Sequence, residues 1–268
     1  MIQIPHRPLP AGTIVKLAEY QAEVDAVRPY PAQVETAGIL FKRRNTARNV
    51  VFKTVRRVLD EMCSGARRCC YCEDSQADEV EHIRPKGWYP EFAFTWENYL
   101  YACGPCNGPK GNKYALFHMR HKRVVHLTRA KDEPVRKPPR GTPLLIDPSI
   151  EDPLHFLDLD LLDTFLFLPR RDRPVRDQRR AAYTIELLDL NRDPLIRARR
   201  LEFGNYRARL KEYIAEKIVG KPPVKLALLV ADLQRLSHPT VWAEMKRQRA
   251  SHPELQRLFR QAPEALDW

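Results

Sequence analysis

The sequence predicts an α+β fold, mostly helical, with a small zinc-stapled unit of two short strands embedded between helical N- and C-terminal parts. Three observations predict it. Two Cys-x2-Cys pairs, Cys69/Cys72 and Cys103/Cys106, are separated by 30 residues, a pattern in which two tight turns grip one tetrahedral Zn²⁺. Apolar residues recur at three-to-four spacing over 45–62 and again from 179 onward, which is the helical period. Between the cysteine pairs the apolar segments at 79–83 and 99–102 have the length of strands.

Taken in order, residues 1–60 are expected to hold a proline-punctuated start, a short helix around 14–24 and an amphipathic helix over 45–62. The last buries Val50, Val51, Val55, Val58, Leu59 and Met62 and turns Arg44, Arg48, Lys53, Arg56 and Arg57 outward. Residues 61–120 form the metal-binding unit. Its first strand ends before Pro85, because proline cannot donate to a ladder, and the chain after Cys106 turns into a helix carrying Lys110 and Lys113. Of the aromatic residues in the loop between, Trp96 is assigned to the core, while Trp88, Tyr89 and Phe92 are left between packing and base stacking.

Residues 121–178 are expected to hold a basic connection and short strands. The basic stretch over 118–142 carries Arg120, Lys122, Arg123, Arg129, Lys131, Arg136, Lys137 and Arg140, and reads equally as a solvated linker or a phosphate-contacting arm. His118, His121 and His126 within it are taken as surface histidines. Strands follow at 144–148 and 165–168. Residues 179–268 read as a helical domain, with helices over 179–190, 194–218, 223–236 and 239–249 punctuated by Pro222, Pro223 and Pro239. In the second of these, Leu201, Tyr206, Leu210, Tyr213 and Ile214 share one face, with Arg199, Arg200, Arg207 and Arg209 elsewhere; the helix is a packed core element or a docking surface.

The net charge of +12 and pI near 9.5 point to a polyanionic partner, and the predominance of arginine suits bidentate phosphate contacts. The start of the chain, broken by Pro5, His6, Pro8 and Pro10, lacks the apolar segment of a secretory signal. The longest apolar run, 226–231, is too short to span a bilayer. A cytoplasmic protein without a membrane partner is therefore expected, and there paired cysteines bind metal rather than form disulfides. Cys63 and Cys70 are left over as small, partly buried thiols.

Between the cysteine pairs stand Glu81-His82-x2-Pro85-Lys86 and Trp96-x-Asn98, and after them Asn107 and Lys110-Gly111-Asn112-Lys113. In this order the set resembles the HNH endonucleases of the ββα-metal (His-Me finger) class, over residues 60–117. Phosphodiester hydrolysis needs a water nucleophile, a base to deprotonate it, and a cation to neutralise charge on the phosphate and the departing oxygen. His82 is the candidate base, since an ordinary imidazole is largely neutral at pH 7. The resemblance implies that Glu81 and Asn107 ligate a divalent cation and that Asn98 holds the loop that orients the histidine. Oxygen ligands favour Mg²⁺ or Mn²⁺. An amide at position 107, where many members have histidine, adds to that preference. Adjacent strand residues point to opposite faces, so Glu81 and His82 can share a site only if the strand twists or ends there. Lys86, Lys110 and Lys113 are candidates for phosphate contact or for simple solvation.

A second resemblance extends further. With 145–148, Asp152-Pro153 and 184–192, the motif looks like the HNH subunit of Septu-type anti-phage systems and their retron-associated relatives. It implies an SMC-like or ABC-type ATPase partner; the substrate expected of the nuclease is nucleic acid, with DNA favoured and RNA possible. Two other classes fit the residues: a zinc-stapled nucleic-acid-binding module without catalysis, and a stand-alone restriction or mobile-element nuclease.

Overall fold

Prolines open the helices of this chain more than they interrupt them. The first turn of a helix has no use for its N–H groups, so proline is tolerated there. The first helix, α1 (Ala11–Asp25), starts after Pro10, and α2 (Tyr30–Arg44) follows Pro29 with Pro31 in its first turn. The proline-rich start is thus largely helical, and α2 was not expected. Its buried face is Val34, Ala37, Leu40 and Phe41. The amphipathic helix α3 (Val50–Met62) starts later than position 45, because the Asn49 side chain accepts the Phe52 N–H at 3.2 Å and caps it.

The structure, a computed structural model, describes residues 1–130 and 133–268; Lys131 of the basic stretch lies outside the described residues. The fold is α+β and mostly helical. Its central hairpin pairs β1 (Glu79–His82) with β2 (Tyr99–Ala102), antiparallel, from Glu79 opposite Ala102 to His82 opposite Tyr99. The short helix α4 (Gly104–Lys110) follows.

The 118–142 stretch is more than a linker. Between β4 (Val124–Leu127) and β5 (Gly141–Pro143) stands β3 (Tyr114–His118), forming a three-stranded antiparallel sheet. Val124, Val125 and Leu127 supply the strand character beneath the charges. Gly141 is needed at the edge, since a Cβ there would lie 2.4 Å from the Phe117 carbonyl oxygen. Residues 144–148 form no strand among the described residues. Leu144 still donates to Ala115 O at 3.0 Å, and Ile146 donates to the Thr184 hydroxyl at 3.0 Å. A last hairpin joins β6 (Leu157–Leu159) to β7 (Phe167–Pro169).

The C-terminal part comprises α5 (Val175–Leu187), α6 (Asp193–Ile218), α7 (Pro223–Gln234), α8 (Pro239–Gln248) and the unforeseen α9 (Pro253–Gln261). On α6 the buried set is Leu195, Arg199, Phe203, Tyr206, Leu210, Tyr213 and Ile214, while Leu201 is exposed. Arg199 is inside the protein. Its Nε donates to Leu195 O at 3.0 Å, and its guanidinium stands 4.7 Å from the Phe167 ring centre. Burial lowers its pKa to about 10. One continuous apolar cluster runs from Met1 to Ala265 and takes in the paired cysteines. Among the described residues, no helix is long and apolar enough to cross a membrane.

Candidate metal and active site

The cysteine cluster is built by two turns flanking the hairpin. All four residues are buried, and their sulfurs lie within 4.8 Å of one another. A tetrahedron with Zn–S bonds of about 2.3 Å has sulfur–sulfur edges of about 3.8 Å, and the Cys72 and Cys103 sulfurs are 3.8 Å apart. The residues fit a zinc ion. Hydrogen bonds among the sulfurs push the Cys69 and Cys106 thiols up and the Cys72 and Cys103 thiols down. A bound divalent cation would displace the protons that remain. Two outside donors reach the cluster: Cys103 N–H to Cys69 Sγ at 3.3 Å, and the Arg192 guanidinium to Cys106 Sγ at 3.6 Å. Among the described residues no other group of three or more metal-binding side chains converges, so His118, His121 and His126 form none.

The first turn is also tied to the C-terminal helices. Buried Glu73 accepts the Thr240 hydroxyl at 2.7 Å and the Thr240 N–H at 3.1 Å, and pairs with the Met1 amine at 3.1 Å. His238 Nε2 lies 3.4 Å from Asp74 Oδ1.

On the other side of the hairpin, a cleft of about 270 Å³ is lined by Glu81, His82, Lys86, Asn107 and Asn112, with Val80, Pro85, Gly108 and Gly111. The strand ends at His82, which lets Glu81 and His82 meet in one cleft despite their alternation along the strand. His82 Nε2 is 3.0 Å from the Ala93 carbonyl oxygen, which also accepts the Tyr99 hydroxyl at 2.7 Å. A carbonyl only accepts, so Nε2 carries the proton and Nδ1 the lone pair. The imidazole is wedged against Phe41 and Tyr99, with ring centres 4.3 and 5.2 Å away. Burial holds its pKa well below the ordinary histidine value, and the nearby Lys86 ammonium adds to this.

Asn98 sits one element away. Its Oδ1 accepts the Arg84 N–H at 2.8 Å, and its Nδ2 donates to the Arg84 and Phe92 carbonyls, each at 3.0 Å. One amide thereby binds the chain just after His82 to the loop that ends at Ala93. The Asn107 amide nitrogen donates to Glu79 Oε2 at 2.6 Å, which leaves its oxygen as the end available to a ligand.

The three lysines part company. Lys86 lines the cleft, its ammonium 4.9 Å from the Phe41 ring centre, and burial lowers its pKa. Lys113 is exposed. Lys110 belongs neither to the surface nor to solvent: it is fully buried, donates to the His82 carbonyl at 2.7 Å, and forms an ion pair with Glu81. Burial raises the Glu81 pKa and Lys110 opposes that rise. Neither the Glu81–Lys110 pair nor Phe41 was expected at this site. Placing Lys110 three residues after Asn107 on one helix was the available signal for the first; the second had none, because α2 was not recognised. Trp88 and Trp96 are both buried, and donate their indole N–H groups to Asn112 O at 2.8 Å and Arg7 O at 3.0 Å. Tyr89 and Phe92 are half-buried. Cys70 is buried and Cys63 half-buried.

Comparison with known proteins gives one partial likeness. Over 49 residues the chain is 45% identical to the Septu protein PtuB of Bacillus thuringiensis, a match that covers 16% of this chain and 19% of that protein. No protein-family model matches the chain, and no solved structure does. The HNH resemblance therefore rests on the motif residues themselves.

Proposed function

We propose that the protein is a metal-dependent HNH-type endonuclease that hydrolyses phosphodiester bonds of nucleic acid, with DNA favoured and RNA open, and that it acts in anti-phage defence. The observation that carries the reading is the 3.0 Å contact of His82 Nε2 with the Ala93 carbonyl oxygen. An imidazole fixed through Nε2 to a backbone carbonyl, kept neutral by burial, offers Nδ1 as a proton acceptor in a cleft that also holds a carboxylate and an amide oxygen. His82 Nδ1 takes the proton of the attacking water. The oxygen of that water bonds to phosphorus, the bond from phosphorus to the departing sugar oxygen breaks, and that oxygen takes a proton from solvent. Asn98 keeps the Arg84–Ala93 loop, and hence the imidazole, in register during this step. Glu81 and Asn107 are the residues that would hold Mg²⁺ or Mn²⁺, which supplies charge neutralisation at the phosphate and the leaving oxygen. The ammonium beside Glu81 marks a spot that favours positive charge. Zinc in the cysteine cluster is structural in this reading, since all four positions are sulfur and none is open.

The partial likeness to a Septu protein supports the defence role and suggests a partner encoded alongside, which we take to be an SMC-like or ABC-type ATPase in the cytoplasm. The competing reading, a zinc-stapled binding module, draws on the same Glu81–Lys110 pair, because a lysine in that place can substitute for a catalytic cation. Cleavage of plasmid DNA and total RNA by the wild type and His82→Ala, in Mg²⁺, Mn²⁺ and EDTA, separates the two. A rate loss of about 10²–10⁴ in the variant, with zinc retained in both proteins, supports the nuclease. Equal activity in both proteins sinks it. A wild type silent both alone and with its genomic neighbour leaves the binding module.

A further inference from the structure

A second cavity continues the cleft. It measures about 260 Å³ and is lined by Gly87, Trp88, Asn112, Lys113, Thr128 and Arg129, with Leu127. Asn112 lines both spaces, and the boundary between them runs along the step from Lys86, in the first, to Gly87, in the second. The neck is shaped by glycine: a Cβ at position 87 would lie 2.7 Å from the Asn112 Oδ1, so any larger residue must displace that amide. The far wall is rigid, because the Trp88 indole is fixed to the Asn112 carbonyl and covered by the Arg129 guanidinium 5.4 Å from its ring centre.

Among the described residues the charge in this space has one sign: Lys113 and Arg129 line it and no acidic residue does. Thr128 and Asn112 add neutral hydrogen-bonding groups. Two cations, a hydroxyl and an amide around a small polar space are what a phosphate needs. A flat stacked base does not fit as well, since Trp88 already has its face covered.

We propose that this second cavity seats a phosphate of the nucleic-acid strand flanking the one cut at His82, with Lys113 and Arg129 as its charged contacts. The inference rests on the nuclease reading and adds to it the direction in which the strand leaves the cleft: past Gly87 and Asn112 and across the end of β4. A substrate with one phosphodiester fills the first space alone; a polynucleotide fills both.

The test compares the wild type with Lys113→Ala/Arg129→Ala, both exposed positions. Binding of a fluorescein-labelled oligonucleotide is followed by anisotropy against salt, in buffer without Mg²⁺ or Mn²⁺ so that the zinc is kept. Each phosphate contact contributes about 0.9 to the slope of log affinity on log salt for duplex and about 0.7 for a single strand. Removing the contacts to this one phosphate should therefore cost the double variant about 0.7–0.9 of slope, so that its affinity falls about threefold less than the wild type's between about 50 and about 200 mM salt. Hydrolysis of bis(nitrophenyl) phosphate, which occupies the first space only, should be unchanged, while KM for the polynucleotide rises. An unchanged slope overturns the proposal, as does an equal loss on both substrates. A mononucleotide bound as tightly as the oligonucleotide, and equally weakened in the variant, marks a free-nucleotide pocket and also overturns it. A wild type that hydrolyses neither substrate, alone or with its genomic neighbour, removes the nuclease reading and leaves the salt slope to decide the phosphate contact.

Discussion

The cysteine cluster and the Glu81–His82 cleft hang from the same two strands but are assembled from different distances. The cluster takes all four of its ligands from turns beside the hairpin, two in each. The cleft is assembled from four directions. Phe41 comes from α2, Ala93 from the loop, Lys110 from α4, and the Asn98 amide from just before β2. Coordination can be specified by spacing along the chain, whereas the orientation of an imidazole is specified by packing. The two should therefore fail separately.

The largest effect is expected from Cys72→Ser. Structural zinc binding is worth about 10–16 kcal/mol in zinc-finger peptides, and opening the tetrahedron should abolish stoichiometric zinc and unfold the hairpin. Zinc content and thermal melting check this. A variant that keeps one zinc per chain and melts like the wild type would break the comparison at its first term.

Lys110→Met comes next. It strips the cation from the buried Glu81 carboxylate, and breaking a buried pair from one side costs about 3–5 kcal/mol. The loss should appear by urea unfolding in buffer without Mg²⁺ or Mn²⁺, and shrink on adding Mn²⁺ if Glu81 is free to take a metal once the lysine is gone. Zinc should stay. Stability equal to the wild type in that buffer would mean that the pair does not hold the cleft.

Phe41→Leu should have the smallest effect on stability, about 1–2 kcal/mol, since it exchanges one apolar side chain for a smaller one. It should still lower the hydrolysis rate, because the imidazole loses its packed face, while zinc content is unchanged. A rate equal to the wild type would show that the carbonyl of Ala93 alone suffices to aim His82.

The same contrast explains what was legible in the sequence. Cys69, Cys72, Cys103 and Cys106 announce their convergence by spacing, and β1 and β2 lie where the short apolar runs put them. The α+β, mostly helical class followed from periodicity. The helix α2 was hidden because Pro29 and Pro31 resemble an irregular stretch, although both lie where a helix tolerates them. The edge strands β4 and β5 were hidden among the charges that flank them, because an edge strand with one solvated side shows little of the apolar pattern; the central strand β3 is buried and apolar, and was missed although its run was visible. Arg199 and Lys110 were misplaced for a related reason: a cation in a periodic pattern reads as solvent-facing, and only the fold reveals the carbonyls and the carboxylate that receive it.

The tie between Glu73 and Thr240 has a practical consequence for anyone cutting the chain. The turn that carries Cys69 and Cys72 is continuous on its outer side with α8, through a buried carboxylate that needs both the hydroxyl and the N–H of Thr240. The imidazole leans on a phenyl ring from the opposite end of the sequence. A fragment trimmed to the motif alone would keep every residue by which the motif is recognised, yet expose a carboxylate on one flank and a hole on the other. Here the motif is a signature of the protein and not a portable cassette, so grafts and minimal fragments should carry α2 and α8 with it.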